Sequence, residues 1–206
     1  MLDFNDATPH AGPLGELIPD GTFCKLRLTI RPGGVNGDNA LDVGILKAAN
    51  NSDAKLLDCE FTVLSGPCER RKFWQFFTVA GGQTDKNGVS KGCNISKNHF
   101  RAIIDSALGL DPKDMSEAAK QKRRLQGLSQ LSGIEFAARV MVEPASSDQY
   151  SDQNRLANAV LVTDPRYEAI MRGEAIDPDP IDAKPRKPKS PSGSTPAAAA
   201  APSWQQ

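Results

Sequence analysis

Between Leu56 and Val79 two strand-like patterns flank the turn signal Ser65-Gly66-Pro67-Cys68, and an antiparallel hairpin is what such a pair specifies. In the first arm Leu57, Cys59, Phe61 and Val63 share one face while Asp58, Glu60 and Thr62 share the other, the period-two alternation of a half-buried strand. The second arm puts Arg71, Phe73, Gln75, Phe77 and Val79 on one face and Arg70, Lys72, Trp74, Phe76 and Thr78 on the other. Both of its faces begin with a cation and become apolar toward the C-terminal end. Two readings are open. Trp74 and Phe76 belong to the core, as most large aromatics do, or they stand outside it beside arginine and lysine. The second arrangement suits a single-stranded nucleic acid, whose bases stack on rings at about 1–3 kcal/mol each while cations track its phosphates.

The stretch Thr22 to Arg31 bears on that choice. Cys24, Leu26, Leu28 and Ile30 alternate with Phe23, Lys25, Arg27, Thr29 and Arg31. A solvated strand face usually mixes charge signs; this one carries cations with no acid between them, which points toward a polyanion. Net charge is zero but unevenly spread: residues 1–20 hold four acids and no Lys or Arg, residues 21–124 hold 17 Lys/Arg against 11 Asp/Glu, and residues 125–206 hold 8 against 10. The positive excess coincides with the aromatic-basic hairpin, and such asymmetry speaks to partners rather than to fold.

With 206 residues, 39% of them hydrophobic, the chain suits one domain plus extensions. No stretch approaches the ~20 apolar residues of a membrane span, and the acidic start Met-Leu-Asp-Phe-Asn-Asp lacks a leader pattern; no membrane association and a cytoplasmic setting are expected. Cys24, Cys59, Cys68 and Cys93 show no C-x-x-C spacing and only His10 and His99 accompany them, so neither a metal site nor a cofactor is expected. Cys24 and Cys59 read as small buried hydrophobes and Cys68 as a turn thiol. No local constellation of nucleophile, base or converging carboxylates appears. Asp58 and Glu60 share a face, but a solvated sheet surface explains them, and the expectation is a protein without catalytic activity.

Along the chain, residues 1–16 read as an extended arm and residues 17–173 as the folded domain. A short strand is expected over Leu41–Lys47. The glycine-rich run Ala80 to Asn94, with Lys86 and Lys91, does not satisfy G-x-x-x-x-G-K-[ST] and reads as a mobile loop able to close over a bound strand. Ser96 is the expected N-cap of a helix to Leu108, with Phe100, Ile103, Ile104, Ala107 and Leu108 as its apolar stripe and Gly109 as its stop. A second helical stretch runs from Asp111-Pro112 to Arg124. Its basic end either complements the helix dipole or contacts phosphate; the helical part as a whole is set at 96–126. Strands are expected over Ile134–Glu143 and Arg155–Thr163, and a helical turn over Pro165–Gly173. Residues 174–206 are Pro-, Ala- and charge-rich and are expected to be disordered. They end Ser203-Trp204-Gln205-Gln206, where Trp204 is a candidate docking anchor for a partner or a terminal residue without a role.

Taken together, the lead-in Leu17-Ile-Pro-Asp-Gly-Thr22, the strand end Leu28-Thr-Ile-Arg-Pro-Gly-Gly34, the hairpin pieces Leu57-Asp-Cys-Glu-Phe-Thr-Val63, Gly66-Pro67 and Arg70-Arg-Lys-Phe-Trp74, the segment Phe100-Arg-Ala-Ile-Ile104 to Gly109, and Leu131-Ser-Gly-Ile-Glu-Phe136 resemble a family. It comprises small phage- and prophage-encoded proteins, long catalogued as a domain of unknown function and often described as binding single-stranded DNA. The resemblance spans about residues 14–163. It implies a mainly β, α+β fold: an OB-like small barrel with a helical insertion. It also implies a role in replication or recombination within a bacterial host's cytoplasm. The chain departs from familiar single-stranded-DNA-binding proteins at its C-terminus, where the acids lie at Glu174–Asp182 and the tip is Trp204-Gln-Gln.

The reading that unites these signals is a non-catalytic binder of single-stranded DNA. Its expected surface is Phe23, Lys25, Arg27, Arg31, Arg70, Lys72, Trp74 and Phe76, with Lys86 and Lys91 on a loop above it. Homo-oligomerisation, and a replication or recombination partner for the tail, are left open. The alternative is a phage adaptor or inhibitor that docks a host or phage protein, in part through Trp204; the near-neutral charge and the acidic N-terminus favour it.

Overall fold

The structure, a computed structural model, describes residues 16–147 and 149–181. Six strands form one antiparallel sheet: β1 (Phe23–Ile30), β2 (Leu46–Ala48), β3 (Lys55–Val63), β4 (Lys72–Ala80), β5 (Glu135–Glu143) and β6 (Gln153–Ala159). Among the described residues three α-helices accompany them, α1 (Lys91–Leu108), α2 (Glu117–Lys122) and α3 (Tyr167–Arg172), with a 3-10 turn at Leu128–Leu131. The expected mainly β, α+β class holds. The strand order is β2-β3-β1-β5-β6, with β4 on the other edge of β3, so the long strands run β4-β3-β1-β5-β6 and α1 connects β4 to β5. Among the described residues no ladder joins β4 to β6; the expected barrel is not closed by backbone pairing. Side chains bridge the two edges instead: Arg155 Nη1 donates to the Trp74 carbonyl at 2.8 Å, and the Leu156 N–H donates to Gln75 Oε1 at 3.1 Å.

The alternation read from the sequence builds the core. Leu26, Leu28, Leu57, Phe61, Val63, Phe73, Phe77, Phe136 and Val140 are buried from their successive strands, each such side chain contributing about 1.5–3 kcal/mol when fully buried. Phe61 sits at the centre, stacked on Phe73 at 5.0 Å and meeting Phe77 and Phe136 edge-on at 6.3 and 6.2 Å. Phe100, Ile103 and Ile104 of α1 close the core from one end, with Ala107 partly buried against it, while Leu108, expected in the same stripe, is exposed. α1 begins at Lys91 rather than after Ser96. Its cap is Ser90, whose hydroxyl accepts from the Cys93 N–H at 3.3 Å, while Ser96 lies buried within the helix. Gly92 makes the early start workable: a Cβ there would stand 2.8 Å from the Thr78 Cβ, so only glycine lets the first turn press on β4.

α2 is shorter than expected. The charges at its end are divided between structure and solvent: the Arg123 side chain is buried and bonds Asp105 at 2.5 Å, while Lys122 and Arg124 remain exposed. The C-terminal boundary also shifts. The segment from Glu174 to Ile181, assigned by composition to a disordered tail, packs on the domain: the Asp179 N–H donates to the Gly21 carbonyl at 3.1 Å and the Ile181 N–H to Asp20 at 2.5 Å. A Cβ on Gly21, at φ +76°, would lie 2.0 Å from the Asp179 oxygen, so glycine is needed at this crossing. No helix among the described residues is long and apolar enough to cross a membrane.

Candidate nucleic-acid interface

Strand register assembles a second surface on the outward face of the sheet. Across it run Lys72, Thr62, Arg27 and Glu135 from β4, β3, β1 and β5, then Trp74, Glu60 and Thr29, then Phe76 and Asp58. Arg31 adjoins Asp58, its N–H donating to the Asp58 carbonyl at 2.9 Å. Trp74 and Phe76 are 46% and 49% exposed. Of the two readings open in the sequence, the structure therefore has the one in which these rings stand outside the core, on the face opposite buried Phe73 and Phe77. One strand face thus shows two large aromatic surfaces two residues apart, within a field of cations.

Lys47 joins this patch, with Nζ 5.0 Å from the centre of the Phe76 ring. Sequence reasoning missed it, because β2 is three residues long and only its register, Lys47 opposite Leu56, shows which face the side chain takes. Reasoning along single strands also missed the acids. Lys25 and Arg27 both reach Glu135, at 2.7 and 2.6 Å; Lys72 reaches Glu60 at 2.7 Å; Arg31 approaches Asp58 at 3.9 Å. The basic face of β1 is therefore charge-paired from β3 and β5. Hydrogen bonds from Lys25 and Arg27 hold the Glu135 carboxyl below its ordinary range. Glu60 is likewise lowered, first by its bond from Lys72 and then by one from the Trp74 indole. That indole bond, Nε1 to Glu60 Oε2 at 3.1 Å, fixes the ring's orientation while leaving its face open.

Three expected members of the surface are elsewhere. Phe23 is 7% exposed, packed with Ala137, Val160, Tyr167 and Ile170 under α3, and flanked by Arg166 and Arg139 at 4.3 and 5.5 Å from its ring centre. It offers no stacking surface. Arg70 lies in the turn before β4, in the left-handed region at φ 68°, where it pairs with Glu69 at 3.7 Å. Lys91 opens α1 rather than riding a loop. Lys86 is exposed on the connection from β4 to α1, which is tied down: Thr84 pairs with Ser90, Asp85 accepts from the N–H groups of Asn87 and Val89, and Gly82 donates to Asp53. It is a built turn, not an open lid. Trp204 lies outside the described residues.

All four cysteines are free. Burial, with Cys68 nearby, pushes the Cys24 thiol up to about 12, and burial raises Cys59 too. Among the described residues no group of three or more His, Cys, Asp and Glu converges as metal ligands would. Comparison of the chain with protein-family models, with curated proteins and with solved structures gives no match.

Proposed function

We propose that the chain is a non-catalytic single-stranded-DNA-binding protein, with Trp74 and Phe76 as its stacking platform and Lys25, Arg27, Arg31, Lys47 and Lys72 as its phosphate contacts. The observation that carries this reading is the half-exposed Trp74–Phe76 pair on one strand face among those cations. Stacking on such rings accepts any base, and a duplex, whose base faces are hidden, cannot use it. The fold supports the reading. An OB-fold is a five-stranded, partly open barrel that binds oligonucleotides on the face of its second and third strands. The long-strand order β4-β3-β1-β5-β6, with a helix before β5, fits that description, and β3 and β4 are its second and third strands. The sequence resemblance supports a setting in phage DNA replication or recombination.

The test is fluorescence anisotropy of a labelled oligothymidine at low and moderate salt, with duplex DNA as competitor. Expected are tight binding at low salt, a log–log salt slope of about −0.7 per phosphate contact, and poor competition by duplex. No binding at low salt refutes the proposal. The interleaved carboxylates Asp58, Glu60 and Glu135 favour a second reading, in which the same aromatic patch docks a protein. Binding of a protein partner with little salt dependence, and none of oligothymidine, would establish it.

A further inference from the structure

The unpaired edges of β4 and β6 leave a groove of about 440 Å³ between them, whose walls include Gln75, Phe76, His99, Met141, Leu156 and Ala157. Its volume falls in the range of small-ligand sites. Phe76 belongs to both the groove and the outward face, so the two surfaces are continuous. They differ in chemistry. The face carries several cations, while the groove carries one ion pair, Arg155 with Glu143, among neutral groups with hydrogen-bonding capacity to spare. Gln75 spends its oxygen on the Leu156 N–H, and its amide nitrogen has no partner among the described residues. Neither ring nitrogen of His99 has one; that ring meets Phe77 edge-on at 5.6 Å, and burial lowers its pKa, favouring the neutral form. Asn98, lining the continuation of the groove beside α1, adds an unspent amide. The groove's cation, Arg155, is already held by Glu143 at 2.9 Å and by the Trp74 carbonyl.

A phosphate finds a single cation there, Arg155, with the Glu143 carboxylate beside it. An uncharged heterocycle finds an aromatic edge, apolar walls, and neutral donors and acceptors of the kind that pair with base edges. We propose that the β4–β6 groove receives one nucleobase of the bound strand, next to the base stacked on Phe76. This rests on the single-strand reading above and adds a subsite to it.

The experiment is an abasic scan: oligothymidines each lacking one base, bound to the wild-type protein and to Ala157→Phe, whose added ring fills the groove. Wild type should lose about fivefold or more in affinity at each position where a base is held, the lower end of one stacked base. Those positions should include one beyond the positions silenced in Trp74→Ala and Phe76→Ala. In Ala157→Phe that extra position alone should become indifferent to base removal. His99→Ala, which empties part of the site rather than filling it, should reduce the loss at the same position, and it serves as the test if Ala157→Phe melts early. An unchanged profile in a folded Ala157→Phe and in His99→Ala, or a wild-type profile with no position beyond those of Trp74 and Phe76, overturns the inference and leaves the single-strand reading standing. Failure of wild type to bind any oligothymidine overturns both.

Discussion

Glu60→Gln separates charge from geometry at the centre of the proposed surface. Glu60 accepts from Lys72 at 2.7 Å and from the Trp74 indole at 3.1 Å. Glutamine keeps an oxygen for the indole, so the stacking platform retains its orientation, but the negative charge is lost and Lys72 is released. A unit charge about 7 Å from a phosphate in water is worth roughly 0.6 kcal/mol, by scaling from about 1 kcal/mol at 4 Å. Removing that repulsion, and adding Lys72 as a free phosphate contact, should tighten oligothymidine binding about two- to fivefold at low salt. One added contact should also steepen the salt slope by about 0.7. Stability should fall by no more than about 1 kcal/mol, the usual worth of a partly exposed ion pair. The assay is anisotropy titration across a salt series, paired with urea melts. Weaker binding with an unchanged melt, or an unchanged slope, would refute the assignment of Lys72 to phosphate and of Glu60 to its restraint.

Trp74→Ala and Phe76→Ala should each weaken oligothymidine binding by about 1–3 kcal/mol while the protein still melts cooperatively, since both rings stand about half exposed; parallel loss of melting and binding would assign them to the core. Arg123→Ala leaves Asp105, 1% exposed, with Arg101 as its only cationic partner among the described residues. It should cost about 3 kcal/mol in a urea melt, the low end for breaking a buried pair, with DNA affinity intact; the reverse pattern would make the end of α2 a phosphate contact. Glu60 and Glu135 titrate below their ordinary values in the folded chain, so their stabilisation is complete above the unfolded value of about 4.3 and is lost as pH falls through the lower folded values. The double variant Glu60→Gln, Glu135→Gln should accordingly flatten the fall of melting temperature as pH drops below the unfolded value of about 4.3, and an unchanged acid limb would count against both pairs.

What the sequence made legible depended on how local the determinant was. The strand faces of β1, β3 and β4 follow from alternation within each strand, and Leu26, Phe61 and Phe73 fall where that alternation puts them. The start of α1 did not follow, because Lys91-Gly-Cys-Asn offers no apolar period and its justification, the fit of Gly92 against Thr78, comes from β4. Phe23 was misread for the same reason. Alternation sets it beside Lys25 and Arg27, but α3, far along the chain, covers it. The acids beside the β1 cations required register between strands, as did the membership of Lys47. Composition misjudged residues 174–181, whose attachment runs through backbone groups and Asp20 that a count of prolines and acids does not register.

The charge pairing gives the proposed surface a basis for preferring single strands. A phosphate that approaches Lys72 or Arg27 must compete with a carboxylate already bonded at 2.7 or 2.6 Å, and the displaced carboxylate then remains nearby to repel it. The net gain from phosphate alone is therefore small at these cations. Duplex DNA offers this face phosphates and little else, because its bases are stacked inside. A single strand offers the same phosphates together with base faces for Trp74 and Phe76, each worth about 1–3 kcal/mol. A face of unpaired cations would bind both forms through counterion release. One whose cations are largely neutralised, with two aromatic rings left open, shifts the free energy of binding onto the groups that only an unpaired strand can present.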